Sequence, residues 1–484
     1  MNQTRVGCCL AALLTAAIVV LPQLSFAAAA EQRPNVLLIS IDDLNDWVGC
    51  LGGHPQAQTP HIDRLAKRGV LFANAHCQSP VCTPSRASMM TSRLPSSTGL
   101  YFLQPHLHMV ETTKNRVTLA ERFAADGYKT LGVGKVYGGH EQRYFQIYGG
   151  NKGGFGPRPK EKISHPVGHP LWDWGAYPDS DSQMPDHKIA DWAIERLKQS
   201  HETPFLLAVG FFRPHVPLYA PRSWFRRHPL EKIQVPQVLK NDRDDLPQYA
   251  RDLTIGFPAP RHEWFVEHGE WKHAVQAYLA TTTFVDHQVG RVLAALDSSR
   301  HAKNTVIVLF SDHGWHLGEK QRWAKRSLWE DSTRVPLIVA APNVKPDRRS
   351  DRPVGLIDIY PTLLDLCRLK ADPEHEGRSL VPLLEDPTLK WEHPAITTFG
   401  PHNHAVRSTR WRYIHYADGS EELYDHRTDP HEWHNLAADK QHADVLAAHR
   451  QRLPKGNLPA LRKYDSSGLK AWLDAEAKRK VSRN

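Results

Sequence analysis

The chain has 484 residues, 40% of them apolar, and a formal net charge of +9. That is enough for a sizeable core, one large α/β body plus a smaller addition. No basic run or nucleic-acid motif concentrates the charge, which argues against a nucleic-acid partner, and no apolar stretch beyond the N-terminus is long enough for stable membrane insertion.

Residues 1–27 read as an export signal. Arg5 is the basic region, residues 8–24 are the apolar stretch, and Ser25-Phe26-Ala27 offers small residues for cleavage. Cys8 and Cys9 stand at the start of the apolar run instead of following it, so a lipid anchor fits poorly. The mature chain is therefore expected to be exported, periplasmic or extracellular. It keeps Cys50, Cys77, Cys82 and Cys367. Four cysteines in an exported protein allow two disulfides, but these are scattered and the count alone decides nothing.

Residues 35–41 form a continuous Val-, Leu- and Ile-rich run, the pattern of a strand buried on both faces. Thr118-Leu119-Ala120-Glu121 is a capping box opening a helix that stops at Gly127. The Gly-, Pro- and Lys-rich stretch 149–170 predicts a long surface loop. Helices are expected over 185–199 and 273–296, and further buried strands over 205–209 and 305–310. This alternation predicts a large doubly wound, mostly parallel α/β sheet. After about residue 390 the pattern changes. Residues 412–416 and 422–424 read as strands around Asp418-Gly419, followed by a helix over 437–451. The expected organisation is a catalytic α/β domain over 33–390 and a C-terminal subdomain over 391–484 with a small antiparallel sheet.

The first strand ends in Asp42-Asp43, and the strand at 305 ends in Asp312-His313. Ligands of open α/β sheets bind beyond the carboxyl ends of strands. Adjacent aspartates repel each other unless a cation or hydrogen-bond donors compensate, and a hard divalent cation suits carboxylate oxygens. The alternatives are that Asp42-Asp43 caps the next helix and that His313 is a hydrogen-bonded neighbour of Asp312. Cys82 opens Cys82-Thr83-Pro84-Ser85-Arg86, with helical residues 87–91 behind it. A helix N-terminus there favours an anion, and Arg86 adds a fixed cation. A plain thiolate nucleophile and a buried structural cysteine are the competing readings, and no local histidine partners the thiol.

The pattern C-x-P-x-R after an Asp-Asp strand end resembles the formylglycine-dependent type I sulfatases of the alkaline phosphatase superfamily. The resemblance runs through Arg33-Pro34-Asn35, Thr59-Pro60-His61-Ile62-Asp63, Gly134-Lys135, Arg213-Pro214-His215, Ser311-Asp312-His313-Gly314-Trp315 and Trp323-Ala324-Lys325. Asp312-His313 and Trp-Ala-Lys make it most similar to the iduronate-2-sulfatase group.

The resemblance implies an alkaline phosphatase-like fold and a sulfate ester hydrolase acting on a sulfated carbohydrate. It implies that a formylglycine-generating enzyme oxidises Cys82, whose hydrate attacks sulfur. One divalent cation, Ca²⁺ with Mg²⁺ as the alternative, would sit on Asp42, Asp43, Asp312, His313 and the side chain at 82. Arg86 and Lys135 would hold the hydrate and the sulfate oxygens. His215 and Lys325 would face the leaving oxygen. Related sequences commonly read Gly-Lys-x-x-His, whereas Lys135 here is followed by Val136-Tyr137-Gly138-Gly139-His140. His140 is expected to be carried back to the sulfur by the glycines; otherwise its role is lost or reassigned. His404 and Arg407, in a stretch similar to bacterial members, are expected at the substrate edge, the alternative being a strand without ligand contact. Trp172, Trp174 and Trp315 are candidates for stacking on sugar rings. The competing functions are a phosphonate monoester or phosphodiester hydrolase of the same superfamily and a catalytically inactive carbohydrate-binding relative.

Overall fold

The computed structural model describes residues 1, 33–166, 169–255, 259–461, 463 and 467–481. Apart from Met1, the predicted export signal lies outside the described residues. The main sheet has eight strands: β1 (Asn35–Asp42), β2 (Val70–Phe72), β3 (Lys129–Gly134), β4 (Ile147–Tyr148), β5 (Phe205–Pro214), β6 (Thr305–Ser311), β7 (Leu337–Ala340) and β8 (Arg348–Ser350). Their spatial order is β8-β2-β7-β6-β1-β5-β3-β4. The block β6-β1-β5-β3-β4 is parallel, and β7 runs antiparallel to both β6 and β2.

Every residue of β1 is buried, which explains its unbroken apolar run. Side chains alternate between the two faces of a strand. Val36 and Leu38 enter one core with Met89 and Met90 of α2 (Cys82–Thr91) and Phe123 of α3 (Leu119–Ala125). Leu37, Ile39 and Ile41 enter the opposite core with Ile189 of α4 (Pro185–Lys198) and Val289 of α5 (Trp271–Asp297). Helices thus cover both faces, and each such buried aliphatic side chain stabilises the fold by about 1.5–3 kcal/mol. The predicted capping box is present: Glu121 Oε2 accepts from the Thr118 amide at 2.9 Å and from Thr118 Oγ1 at 2.7 Å.

A second sheet, β9 (Ala395–Thr398), β10 (His404–Arg407), β11 (Trp411–His415) and β12 (Glu421–Asp425), is antiparallel in sequence order. Gly419, at φ +91°, makes the expected turn between β11 and β12. The helix expected over 437–451 is only Ala443–Arg450. The preceding segment is tied to β12 instead: the Leu436 amide donates to the Leu423 carbonyl, and Asn435 Oδ1 accepts from the Leu423 amide. The stretch 149–170 holds no helix or strand among its described residues. Cys50, Cys77 and Cys82 are free thiols. No helix among the described residues is long and apolar enough to cross a membrane.

Candidate active site

Four neighbouring parallel strands end at one edge of the sheet. β6 delivers Asp312 and His313, β1 delivers Asp42 and Asp43, β5 leads into His215, and β3 leads into Lys135. The last two strands approach closely because both carry glycine. A Cβ on Gly134, at φ +73°, would lie 2.0 Å from the Gly210 carbonyl, and one on Gly210 would lie 2.0 Å from the Lys135 carbonyl. Cys82 is the first residue of α2, following extended Val81, so the helix N-terminus faces the strand ends.

Asp42, Asp43, Asp312 and His313 are fully buried. Lys325 Nζ donates to Asp43 Oδ1 at 2.6 Å and to Cys82 Sγ at 3.0 Å. Lys135 Nζ donates to Asp42 Oδ2 at 2.5 Å. His313 Nδ1 faces the Gly314 carbonyl at 3.1 Å, which turns Nε2 toward Cys82 Sγ at 3.3 Å. His215 Nδ1 likewise lies 2.6 Å from the Val216 carbonyl, with Nε2 3.7 Å from Asp43 Oδ2. Arg86 is almost fully spent on the scaffold: Nε donates to Asp312 Oδ2 at 2.9 Å, and Nη1 to Ser40 Oγ and the Lys135 carbonyl. Only Nη2 makes no hydrogen bond.

The charges compete. Burial pushes the Asp42 carboxyl up, but Lys135, His215 and Arg86 together hold it well below the usual carboxylate range. Burial lifts Asp43 to about 8 against the pull of Lys325, and the charge of Asp42 adds to the lift. Burial would lower Lys325, but Asp43 and Cys82 outweigh it and keep the ammonium protonated. Burial, with Lys325 adding, holds the His215 imidazole well below its usual value.

These residues fit a divalent cation. Asp42 Oδ1 and Asp43 Oδ2 are buried without a hydrogen-bond partner. Asp42, Cys82, Asp312 and His313 place ligand atoms within 4.8 Å of one another, as do Asp42, Asp43, Cys82 and His215. Carboxylates left without donors at such spacing suit a hard cation.

A cavity of about 330 Å³ opens above Cys82. Lys135, His215, Lys325, Trp172 and Trp315 line it, and no Asp or Glu among the described residues does. Trp174 instead stacks on Phe265 in a buried cluster. His140 is not in the wall. Four amides, those of Val136, Tyr137, Gly138 and Gly139, close around the buried Glu141 carboxylate. That turn leaves His140 exposed, its ring against His106 and His108. His106 takes the wall position, packed so closely that a Cβ on Gly139 would meet it at 2.7 Å. His404 and Arg407 are also elsewhere. His404 Nε2 lies 2.9 Å from Asn457 Oδ1, and Arg407 Nε donates to Glu330 Oε2 at 3.1 Å inside a buried charge network. Sequence reasoning missed Arg326, a 4%-exposed wall residue at φ +74°. Burial lowers its guanidinium to about 10, opposed by Cys82 and Asp43. Its one sequence signal is its place directly after Lys325.

A family model described as Sulfatase matches residues 34–369, and one described as N-sulphoglucosamine sulphohydrolase, C-terminal, matches 318–457. A sulfatase of Formosa agariphila is 43% identical over 441 residues, covering 88% of this chain and 87% of that protein. The iduronate 2-sulfatase of Mus musculus is 29% identical, covering 86% of this chain and 93% of that protein. A solved 2-O GAG sulfatase superposes with a TM-score of 0.69 at 26% identity, over 87% of this chain and 91% of that one. The cysteine, the paired strand-end acids and the lysines that converge on them thus stand in a chain that belongs to the sulfatase family and is a sulfuric ester hydrolase.

Proposed function

We propose that the protein removes a sulfate ester from a uronic acid residue of a sulfated carbohydrate, iduronate-2-sulfatase-like, through a formylglycine made from Cys82. The observation that carries this reading is the cavity wall. Three cations, Lys135, Lys325 and Arg326, surround Cys82, with no carboxylate among the described lining residues. Lys135 and Lys325 lie at the strand-end acids and suit the sulfate. Arg326 supplies a further positive charge, as a carboxylate on the same sugar would require. Trp172 and Trp315 give the ring an apolar face. The names of the 2-O GAG sulfatase and the iduronate 2-sulfatase agree with such a substrate.

Cys82 Sγ stands where the hydrate oxygen of formylglycine would stand. The aldehyde hydrate supplies the attacking oxygen and allows sulfate to leave as the aldehyde returns. Asp42, Asp43, Asp312 and His313 would hold Ca²⁺, which offsets the charge gathered at sulfate. Lys325, protonated and 3.0 Å from Sγ, is placed to hold the attacking group and to give its proton to the departing alkoxide. His215, held by Nδ1 on the Val216 carbonyl, turns its Nε2 toward Asp43 and orients the site. Arg86 fixes Asp312 and the Lys135 loop. A formylglycine-generating enzyme of the exporting host is the maturation partner, and the export signal at 1–27 belongs to the same reading.

Mass spectrometry of the Cys82 peptide from host-expressed protein, with sulfate release from 2-O-sulfated uronate disaccharides, tests it. Formylglycine at 82 and release from the uronate substrates are expected. An unmodified cysteine in active protein would overturn the nucleophile. Faster turnover of phosphonate monoesters or phosphodiesters than of any sulfated sugar would overturn the substrate.

A further inference from the structure

Behind the active site lies a second group of acids that the hydrolytic chemistry does not use. The chain leaving β6 makes a short hairpin in which His316 pairs with Ala324 and Leu317 with Trp323. Lys325 and Arg326 follow directly, so this hairpin sets where both cations point. On its far side His316, Glu319 and Asp331 bring one ligand atom each within 4.8 Å of the others. Asp331 belongs to α6 (Glu330–Thr333), the next element in the chain.

The His316 ring is fully buried, and its bonding fixes its tautomer. Ser327 Oγ donates to Ser332 Oγ, so it accepts the Nε2 proton of His316 across 2.8 Å. Nδ1 is left as a bare lone pair. It makes no hydrogen bond and points at Asp331 Oδ2, 3.5 Å away. Two acceptors facing each other in a buried place need a cation or a proton between them. The basic groups around it are committed elsewhere: Arg334 Nη1 donates to Asp46 Oδ2 at 2.9 Å, Lys320 Nζ to Asp242 Oδ1 at 2.8 Å and Arg322 Nη2 to the Lys325 carbonyl at 2.8 Å.

We propose that His316, Glu319 and Asp331 form a second cation site, of the class that takes Zn²⁺, which pins the hairpin carrying Lys325 to α6. One imidazole nitrogen and two carboxylate oxygens, with water as the fourth ligand, make a tetrahedral zinc set, whereas Ca²⁺ takes oxygens. The Nε2–H to Ser327 bond is the outer contact that orients a ligating histidine. A cavity of about 490 Å³, lined by Glu319, Asp331, Asp46 and His431 among others, connects the group to solvent and gives an ion its way in.

The test uses the full chain, stripped with EDTA, loaded with excess Ca²⁺ to fill the catalytic centre, exposed to Zn²⁺ and desalted before elemental analysis. Wild type is expected to keep about one Zn²⁺ per chain and to melt several degrees higher for it. Asp331→Asn and Glu319→Gln are expected to lose the Zn²⁺ and keep their Ca²⁺, and Asp43→Asn to do the reverse. Co²⁺ in place of Zn²⁺ reports the site in wild type through its visible absorption, whatever the folding of the variants. The proposal is overturned if wild type retains no Zn²⁺, which would mean that a shared proton fills the gap. It is equally overturned if Asp331→Asn retains Zn²⁺ that Asp43→Asn loses, which would assign the ion to the catalytic centre.

Discussion

Lys325 touches Asp43 and Cys82 Sγ at once and lies 5.5 Å from the centre of the Trp315 ring. A charge so placed costs desolvation, which the anions around it repay only while it stays protonated. Lys325→Ala is expected to lower kcat by about 10²–10⁴-fold, the usual range for losing a positioned proton donor. Lys325→Arg keeps the charge but holds its proton too tightly to give it up, and is expected to recover little of the rate. Steady-state kinetics on one sulfated disaccharide check both, and equal rates for wild type and Lys325→Ala would remove Lys325 from the reaction. Arg326 belongs to recognition instead. Arg326→Gln is expected to raise KM by about 10-fold or more for a 2-O-sulfated uronate, from one lost charge-assisted bond, with kcat nearly unchanged. The same change should leave KM for a sulfated neutral sugar alone; a rise with both substrates would deny Arg326 a carboxylate partner. At this scale the sequence showed the residues that sit on strand ends and on the helix N-terminus, because periodicity places those. It misplaced His140, because nothing in the spacing shows that Glu141 gathers four amides and turns the loop. It misplaced Arg407, because a buried pair with Glu330 and a substrate contact look alike in one dimension.

Among the elements, the three long apolar runs were legible because a strand buried on both faces has no polar side to interrupt it. The short strands β2, β4 and β8 have three, two and three residues, too few for any period to appear. The start of the helix Ala443–Arg450 was lost to tertiary hydrogen bonds on Asn435 and Leu436. The helix α1 (Pro60–Ala66) shows how such contacts replace local signals: Thr59 makes no side-chain cap. Asp286 of α5 does that work across the fold, accepting from the His61 amide at 3.1 Å and the Ile62 amide at 2.8 Å. Burial lifts its carboxyl to about 7 despite those two amides. The unfolded chain titrates near 4, so it loses this proton first as pH rises. Stability from this group is full below about pH 4 and is lost as pH climbs through about 7. Asp286→Asn keeps an accepting oxygen without the charge. Its melting temperature relative to wild type is therefore expected to rise between pH 4 and pH 7 and then level off, as calorimetry can follow. A difference flat with pH would show that the ionised form is not penalised.

At the scale of the whole molecule, the described residues from Pro34 onward form one compact unit, and the C-terminal sheet is held to the elements beside the active site by charged as well as apolar contacts. Arg412 of β11 is fully buried and pairs with Glu330 of α6 and, at 2.6 Å, with Glu432. Arg407 of β10 pairs with the same Glu330 at 3.1 Å. Glu432 is 2% exposed and Glu330 9%, so removing Arg412 leaves both under-compensated in the interior, a loss of about 3–5 kcal/mol. Arg412→Met is expected to lower the melting temperature by about 5 °C or more, with the transition remaining single. The single transition follows because Glu330 adjoins Asp331 and the hairpin bearing Lys325, so the C-terminal sheet cannot loosen without disturbing the elements beside the active site. Activity should therefore fall with the same temperature dependence as the far-ultraviolet signal. Two separate transitions, with activity surviving the first, would show instead that the C-terminal sheet unfolds alone and that the network does not couple it to the catalytic edge. Pairing Arg412→Met with Glu330→Gln should recover part of the lost stability, because the stranded charge, rather than the missing packing, is the larger cost.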